Sequence, residues 1–112
     1  MRWSSGWSRV ATTWAFNGMV HRTLRTNASV RSTMTARTVA IVAPIGPRFG
    51  WVRVYVDGVF QRQVSLYAKT GSSRKIVWYR TFPTDGPKVV ELRAVRTTSR
   101  NRVEIDAILT LR

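Results

Sequence analysis

The chain has 112 residues, which suits a single domain, and 44% of them are hydrophobic, a globular proportion that excludes wholesale disorder. It contains no cysteine, which excludes disulfides, thiolate nucleophiles and zinc sites built on sulfur. No apolar run is long enough to span a membrane, and no apolar signal core follows the N-terminal charges. We therefore expect a protein that stays inside the cell, or a piece of a longer secreted chain.

The chain is strongly basic. Its net charge is +14, from 19 lysines and arginines against 5 acidic residues, and all but three of the basic residues are arginines. Such a field favours binding to nucleic acid, anionic polymers or anionic membranes. A GC-rich genome would also enrich arginine without any ligand, so a functional and a compositional origin of the charge both stay open.

Along the chain, hydrophobic residues follow a period of two rather than three and a half, which is typical of strands. We assign residues 1–7 to an N-terminal extension and residues 8–112 to one domain. Threonine-rich segments predict four short strands at 9–15, 20–26, 28–35 and 37–43. Residues 44–50 predict a loop, because Pro44 and Pro47 have no amide hydrogen to donate within a central strand.

In the second half, alternation is clearest over residues 51–57. Asp57-Gly58 then predicts a two-residue hairpin with positive φ at both positions. Residues 83–87 contain two prolines and a glycine and predict a turn. Further strands are predicted on both sides of that turn and near the C-terminus, at 75–82, 88–95 and 102–107.

Many short strands at regular spacing, and no window with the period of an amphipathic helix, predict an all-β fold. The expected architecture is a two-sheet antiparallel β-sandwich of the jelly-roll kind. The side chains predicted to be buried between the sheets include Val54, Leu92 and Ile105.

Several segments together resemble a known family. They are residues 39–47, residues 54–59 (Val-Tyr-Val-Asp-Gly-Val), residues 64–68 and the closing strand at 102–112. As a set they resemble a jelly-roll domain of bacterial secreted proteins that is similar to galactose-binding-like carbohydrate-binding modules. The resemblance implies an extracellular or cell-surface accessory domain beside hydrolases or repeat proteins. It also allows a structural calcium ion, although no ligands for one match here. One departure is Ile41, where the family usually has tryptophan.

The sequence offers little for catalysis. His21 is the sole histidine and has Arg22 and Arg25 beside it rather than an orienting carboxylate. Asp57 and Asp85 each precede a glycine, which is typical of turns rather than of paired carboxylates for glycoside hydrolysis. We therefore predict no catalytic residue, no metal ligand and no cofactor, and interpret the protein as not an enzyme.

A candidate ligand face follows from the strand pattern. Charged and aromatic residues alternate with aliphatic ones, so they should face solvent where the aliphatic residues face the core. The outward residues predicted to bind ligand are Arg53, Tyr55, Trp78, Arg80 and Glu104. Glu91 and Arg93 point outward by the same rule. Sugar sites combine aromatic rings with charged hydrogen-bonding groups, because the C–H faces of sugars stack and their hydroxyls need directional partners.

A plainer interpretation of the same pattern is available. Opposite charges on neighbouring strands are ordinary cross-strand pairs, and a tryptophan among apolar residues is usually part of a core. A one-residue bulge would also reverse part of the face, with Trp78 affected first.

These observations lead to one functional prediction and two alternatives. We interpret the protein as a non-catalytic module that binds carbohydrate or an anionic cell-envelope polymer, accessory to a larger secreted protein. Its charge also predicts non-specific nucleic-acid binding at low salt that is largely lost at moderate salt. The alternatives are a basic nucleic-acid-binding β domain and a structural spacer without a ligand.

Overall fold

The computed structural model describes residues 2–3, 7–11, 19–23 and 28–111. Within these residues the chain forms nine strands, which are β1 Arg2–Trp3, β2 Trp7–Ala11, β3 Met19–Thr23, β4 Ser29–Ile45, β5 Trp51–Val56, β6 Val59–Ser65, β7 Ser72–Val95, β8 Val103–Ile105 and β9 Ala107–Leu111. Among these described stretches there is no helix, and hence none that could cross a membrane. The predicted strand residues 12–15 and 24–26 lie outside the described residues.

The strands form two antiparallel sheets. One follows the order β1-β4-β7-β5-β6, with β9 also pairing with β4, and the other follows the order β2-β3-β8. A single residue, Asp106, separates β8 from β9, and its N–H donates to the carbonyl of Val42 at 3.0 Å. Through Asp106 the chain passes from the three-stranded sheet to β9, which pairs with β4 of the larger sheet. The hydrophobic core lies between the two sheets. The predicted two-sheet antiparallel sandwich is confirmed.

The N-terminal residues take part in these sheets where they are described. Strand β1 pairs with β4 through Arg2 and Trp3, and β2 begins at Trp7 and pairs with β3. The proposed boundary between residues 7 and 8 stays a prediction.

The hairpin is formed as predicted. Asp57 and Gly58 have φ of 51° and 79° and connect β5 to β6. Because both turn positions are left-handed, the turn matches the twist of the two strands. The Asp57 carboxylate also accepts a hydrogen bond from the N–H of Val89 at 2.8 Å, which ties the hairpin to β7.

Two predicted breaks are not strand ends. Strands β4 and β7 run through the predicted gap after residue 35 and the predicted turn at 83–87. The register shifts there, since Ala36 lies opposite Gly86 and Thr38 lies opposite Thr81. The turn prediction was wrong because residues 82–85, including Pro83, form a bulge within β7, and Pro87 pairs in register with Thr35.

Lys88 holds this bulge together. Its buried ammonium donates to the carbonyls of Ala36 at 2.6 Å, Thr84 at 3.2 Å and Gly86 at 3.4 Å. The ammonium also lies 5.0 Å from the centre of the Phe82 ring. These partners compensate for the burial of the charge and close the irregular segment against β4.

The core follows the predicted alternation. On β5, Val52, Val54 and Val56 are buried, and Leu92 on β7 and Ile105 on β8 are also buried. Burial of Val54, Leu92 and Ile105 is confirmed. Because adjacent residues of a strand point to opposite sides, the residues between the β5 valines face away from the core.

Candidate functional site

The candidate site lies on the outer face of the larger sheet, where β4, β7, β5 and β6 lie side by side. Arg31, Glu91, Tyr55 and Phe60 are opposite one another across these four strands. Directly opposed residues project to the same side of a sheet, so the four side chains form one row. We call Arg31, Arg53, Tyr55, Phe60, Glu91 and Arg93 the arginine–tyrosine face.

Glu91 is the centre of this face. Its Oε1 accepts hydrogen bonds from Arg31 Nη2 at 2.6 Å and Arg31 Nε at 3.2 Å, and its Oε2 accepts one from Arg93 Nε. The Glu91 side chain is 11% exposed, whereas those of Arg31 and Arg93 are 61% and 47% exposed. A nearly buried carboxylate therefore holds two guanidinium groups at the surface.

The ionisation of this group follows from those contacts. The hydrogen bonds from Arg31 lower the pKa of Glu91 below its usual value, against the opposing effect of burial, and Arg93 lowers it further through its bond and charge. The bond to Glu91 raises the pKa of Arg93 in turn. Glu91 is therefore ionised and Arg93 protonated at neutral pH.

Aromatic side chains lie beside the charges. The guanidinium of Arg93 lies 4.8 Å from the centre of the Tyr55 ring, and the Phe60 ring meets Tyr55 edge to face at 5.6 Å. Tyr55 is half-buried between them, whereas Phe60 is 53% exposed. Tyr55 therefore positions its neighbours, and Phe60 offers the more open ring.

A depression of about 380 Å³ opens on this face. It is lined by Arg31, Tyr55, Asp57, Gly58, Val89, Glu91 and Arg93. Arg53 lies next to it, since it is directly opposite Arg93, and donates from Nε to Gln63 Oε1 at 2.9 Å. The depression combines guanidinium donors with an aromatic ring, and both of its carboxylates already accept hydrogen bonds from the protein.

Of the predicted ligand residues, two lie together here. Arg53 is exposed and Tyr55 is half-buried, both on the outward side of β5. Their predicted direction is confirmed, and their role in binding stays a prediction.

Trp78 does not join them, and its predicted outward direction was wrong. A bulge in the first half of β7 leaves Val77 without a partner, so that Trp78 lies opposite Ile41 and Ile76 lies opposite Val42. Ile41 is fully buried, and Trp78 packs against the core beside it. Tyr79, the next residue along the strand, is 69% exposed. Trp78 instead lines a separate groove of about 660 Å³ between β6 and β7.

Arg80 is exposed, but it lies on the same side of β7 as Trp78, so its predicted direction was wrong as well. It is opposite Val39 of β4, donates to Gln61 Oε1 and lies 4.6 Å from the Phe82 ring centre. Residues 90–95 of β7, not Arg80, pair with β5. Arg80 is therefore not a neighbour of Arg53 or Tyr55 on the ladder.

Glu104 was predicted to face solvent, and this was wrong. It is 2% exposed, and all three residues of β8 are buried. Strand alternation predicts a polar outer side only where one face of a strand meets water, and both faces of β8 are covered. Its carboxylate lies 3.8 Å from Arg102 Nε, within the interior of the sandwich. Glu104 cannot contribute to an outer face.

Sequence reasoning placed Glu91 and Arg93 on the outer side but did not select them, and it missed Arg31. The alternation of Arg31 with buried Val30 is visible in the sequence. What the sequence does not show is that β4 lies beside β7, which brings Arg31 to Glu91.

Metal ligation has no candidate in the part of the chain that the structure describes, because no three His, Asp or Glu side chains cluster there. Glu91 is bound by two arginines, and Asp57 by a backbone amide. Neither matches the cage of six or more oxygens that calcium needs. The structural calcium ion stays an expectation without assigned ligands, and the side chain of His21 lies outside the described residues.

No family model and no curated protein sequence matches the chain. Its fold does match solved structures. It superposes on part of a xanthan lyase from Paenibacillus with a TM-score of 0.70 and 11% identity, over 98% of this chain and 12% of that one. It matches a family two carbohydrate esterase from Cellvibrio japonicus with a TM-score of 0.60 and 14% identity, over 94% of this chain and 30% of that one.

A third match spans nearly all of both chains. It is the carbohydrate-binding module CBM36 in complex with calcium and xylotriose, with a TM-score of 0.60, 14% identity and coverage of 97% of this chain and 92% of that one. At such identities the likeness shows the fold alone. The fold is the β-sandwich of carbohydrate-binding modules and of domains within carbohydrate-active enzymes.

Proposed function

We propose that this protein is a non-catalytic carbohydrate-binding module whose ligand lies on the arginine–tyrosine face. The observation that carries the proposal is an exposed aromatic ring, Phe60, which packs on Tyr55 on the same face as guanidinium groups that Glu91 and Gln63 hold in place. Sugar rings bury a C–H face against such a ring and direct their hydroxyl oxygens to fixed donors. The β-sandwich fold shared with carbohydrate-binding modules supports this proposal.

A binding role suits the chemistry of the face better than a catalytic one. Glycoside hydrolysis needs a carboxylic acid with a raised pKa to protonate the leaving group. The pKa of Glu91 is lowered instead, by its hydrogen bonds to Arg31 and Arg93. Glu91 therefore remains ionised and serves to hold the donors.

An accessory role at the cell surface or outside the cell is part of the proposal. The chain spans 12% of the xanthan lyase and 30% of the esterase that it matches. In both cases the matched region is one part of a larger protein, and we extend that arrangement to this chain by analogy. A secreted protein with a further domain is the context in which we expect this module to act.

The direct test is Phe60→Ala, with Tyr79→Ala as the matched control. Both residues are exposed aromatics, at 53% and 69%, but Tyr79 lines the separate groove between β6 and β7 and not the depression of the arginine–tyrosine face. A stacked aromatic contributes about 1 kcal/mol beyond its buried area, so Phe60→Ala should weaken glycan binding about fivefold. Affinity electrophoresis against a panel of neutral and acidic polysaccharides would select the glycan, and calorimetry would measure each variant.

Circular dichroism should show both variants folded. Equal loss of affinity in Phe60→Ala and Tyr79→Ala would place the site elsewhere. If no polysaccharide binds the unmodified protein, the proposal fails and the spacer alternative replaces it.

A further inference from the structure

The charges on the arginine–tyrosine face are not balanced. The arginine–tyrosine face carries three arginines, Arg31, Arg53 and Arg93, and one carboxylate, that of Glu91. Asp57, which also lines the depression, accepts a hydrogen bond from the N–H of Val89. Arg31 and Arg93 both bond to Glu91, while Arg53 bonds to the neutral amide of Gln63. The group of Arg31, Arg93 and Glu91 keeps one net positive charge, and Arg53 adds a second one directly opposite Arg93.

Arg53 and Arg93 lie directly opposite each other on β5 and β7. Like charges in this position destabilise a sheet. A bound anion would remove that repulsion, whereas a neutral sugar would not. This pair of arginines is therefore the part of the face that gains most from a negatively charged ligand.

Both guanidinium groups are anchored by the protein. Arg93 is anchored through Nε to Glu91, and Arg53 is anchored through Nε to Gln63 at 2.9 Å. In each group the anchoring bond uses Nε, so the two terminal nitrogens, Nη1 and Nη2, take no part in it. When its terminal N–H groups bind a carboxylate, a planar guanidinium that is already held at one edge loses less side-chain freedom than an unanchored one does.

We propose that the face selects acidic polysaccharides, with Arg53 and Arg93 binding a carboxylate on the sugar. This inference rests on the proposed function, because it needs a glycan on the same face. Single-stranded nucleic acid is a poorer fit, since it stacks successive bases on several open rings. On this face Tyr55 is half-buried under Arg93, which leaves Phe60 as the open ring among the described residues.

The test compares acidic polysaccharides with their own methyl esters. Polygalacturonate, alginate and hyaluronan would each be measured beside the esterified form, which keeps the sugar ring and removes the charge. At about 0.15 M ionic strength, where the Debye length is about 8 Å, diffuse attraction by the net charge is largely screened. We expect one or more of the acidic forms to bind about tenfold more tightly than the corresponding ester. The reason is that a hydrogen bond between a guanidinium and a carboxylate is stronger than one to a neutral ester.

Two variants locate the effect. Arg53→Gln and Arg93→Gln should each reduce that preference about tenfold. Arg48→Gln is the matched control, because it removes the same charge from an exposed residue in the turn between β4 and β5. Arg48→Gln should keep the full preference, and equal losses in all three variants would overturn the proposal in favour of non-specific charge attraction.

The outcomes separate this inference from the proposed function. Equal binding of acid and ester, or binding of neutral glycans alone, would overturn the inference and leave the proposed function standing. Tighter binding to dextran sulfate than to every carboxylated polymer would overturn the carboxylate assignment. Tighter binding to single-stranded DNA than to any glycan, lost in Arg93→Gln, would overturn both proposals, as would binding to no polymer at all.

Discussion

Arginine and aromatic side chains meet at two places in this molecule, with different results. On the arginine–tyrosine face, Arg93 lies over Tyr55 and is 47% exposed. In the loop before β8, Arg100 lies 3.6 Å from the ring centre of Trp51 and 5.1 Å from that of Tyr67. Stacking alone therefore does not separate a binding arginine from a structural one.

The hydrogen bonds separate them. Arg100 donates from Nε to the Phe49 carbonyl at 2.7 Å, and from Nη2 to the Gly50 carbonyl at 3.1 Å and to Ser65 Oγ at 2.7 Å. Arg100 thus donates to the protein from both Nε and the terminal nitrogen Nη2. Arg93 and Arg53 are instead anchored through Nε. An arginine whose donors are used internally stabilises the fold, and one anchored at a single edge retains donors for a ligand.

The Arg100 contact also fixes a tightly packed crossing. A Cβ added at Gly50 would lie 2.2 Å from the Val95 carbonyl oxygen, so that position requires glycine. The N–H of Gly50 donates to the Arg102 carbonyl at 2.8 Å, and its carbonyl accepts from Leu66 N–H at 2.8 Å. Arg100 thus stabilises a junction where four segments of chain meet.

The largest expected effect is on stability, at Arg100→Gln. Loss of the bonds to two backbone carbonyls and of the stacking on Trp51 should lower the free energy of unfolding by about 2 kcal/mol. Urea denaturation followed by tryptophan fluorescence measures it, with Arg48→Gln as the charge-matched control. Glycan affinity should stay unchanged, and a loss of affinity without a loss of stability would remove the distinction between the two regions.

A smaller effect, with a pH signature, is expected at Glu91→Gln. At neutral pH the variant should be about 1 kcal/mol less stable, because the amide replaces an ionised acceptor shared by Arg31 and Arg93. The folded-state pKa of Glu91 lies below its usual value of 4.5, so its contribution is present above about pH 4.5 and is lost as the pH falls through the folded-state value.

Urea unfolding of both proteins from pH 7 downward would test this. The difference between wild type and Glu91→Gln should shrink below about pH 4.5. A difference that is constant down to pH 3 would show that the interaction with the two arginines does not depend on the charge of Glu91.

The smallest effect is expected at Arg53→Gln. Its exposed bond to Gln63 contributes little, and its removal relieves the repulsion from Arg93, so stability should change by no more than a few tenths of a kcal/mol. Thermal unfolding at low and moderate salt measures this, and any gain should be larger at low salt. Destabilisation as large as that of Arg100→Gln would mean that Arg53 is a structural residue.

Much of the fold was predictable from local pattern. The valines of β5 are buried and Arg53 and Tyr55 face outward, because a strand with one face on the core and one in water must alternate. The hairpin at Asp57 and Gly58 was predictable as well, since those residue types tolerate the left-handed backbone that the turn needs.

The errors have equally specific causes. Residues 83–87 have turn chemistry, yet β7 continues through them because Lys88 binds the carbonyls of the bulge. A second bulge, at Val77, reverses the phase of Trp78. Glu104 is buried because β8 is covered on both faces. The errors at Trp78 and Glu104 arise where neighbouring strands, rather than the strand's own sequence, decide which side a residue faces.

The sequence by itself determined the all-β class, the alternation of β5 and its hairpin, because these depend on residues close together along the chain. Only the tertiary structure decided that Arg31, Glu91, Tyr55 and Phe60 form one row, because they come from four strands whose order no local pattern specifies. It also decided which arginines keep donors for a ligand. That property depends on which carbonyl, amide or carboxylate each guanidinium meets after the strands have paired, as the contrast between Arg93 and Arg100 shows.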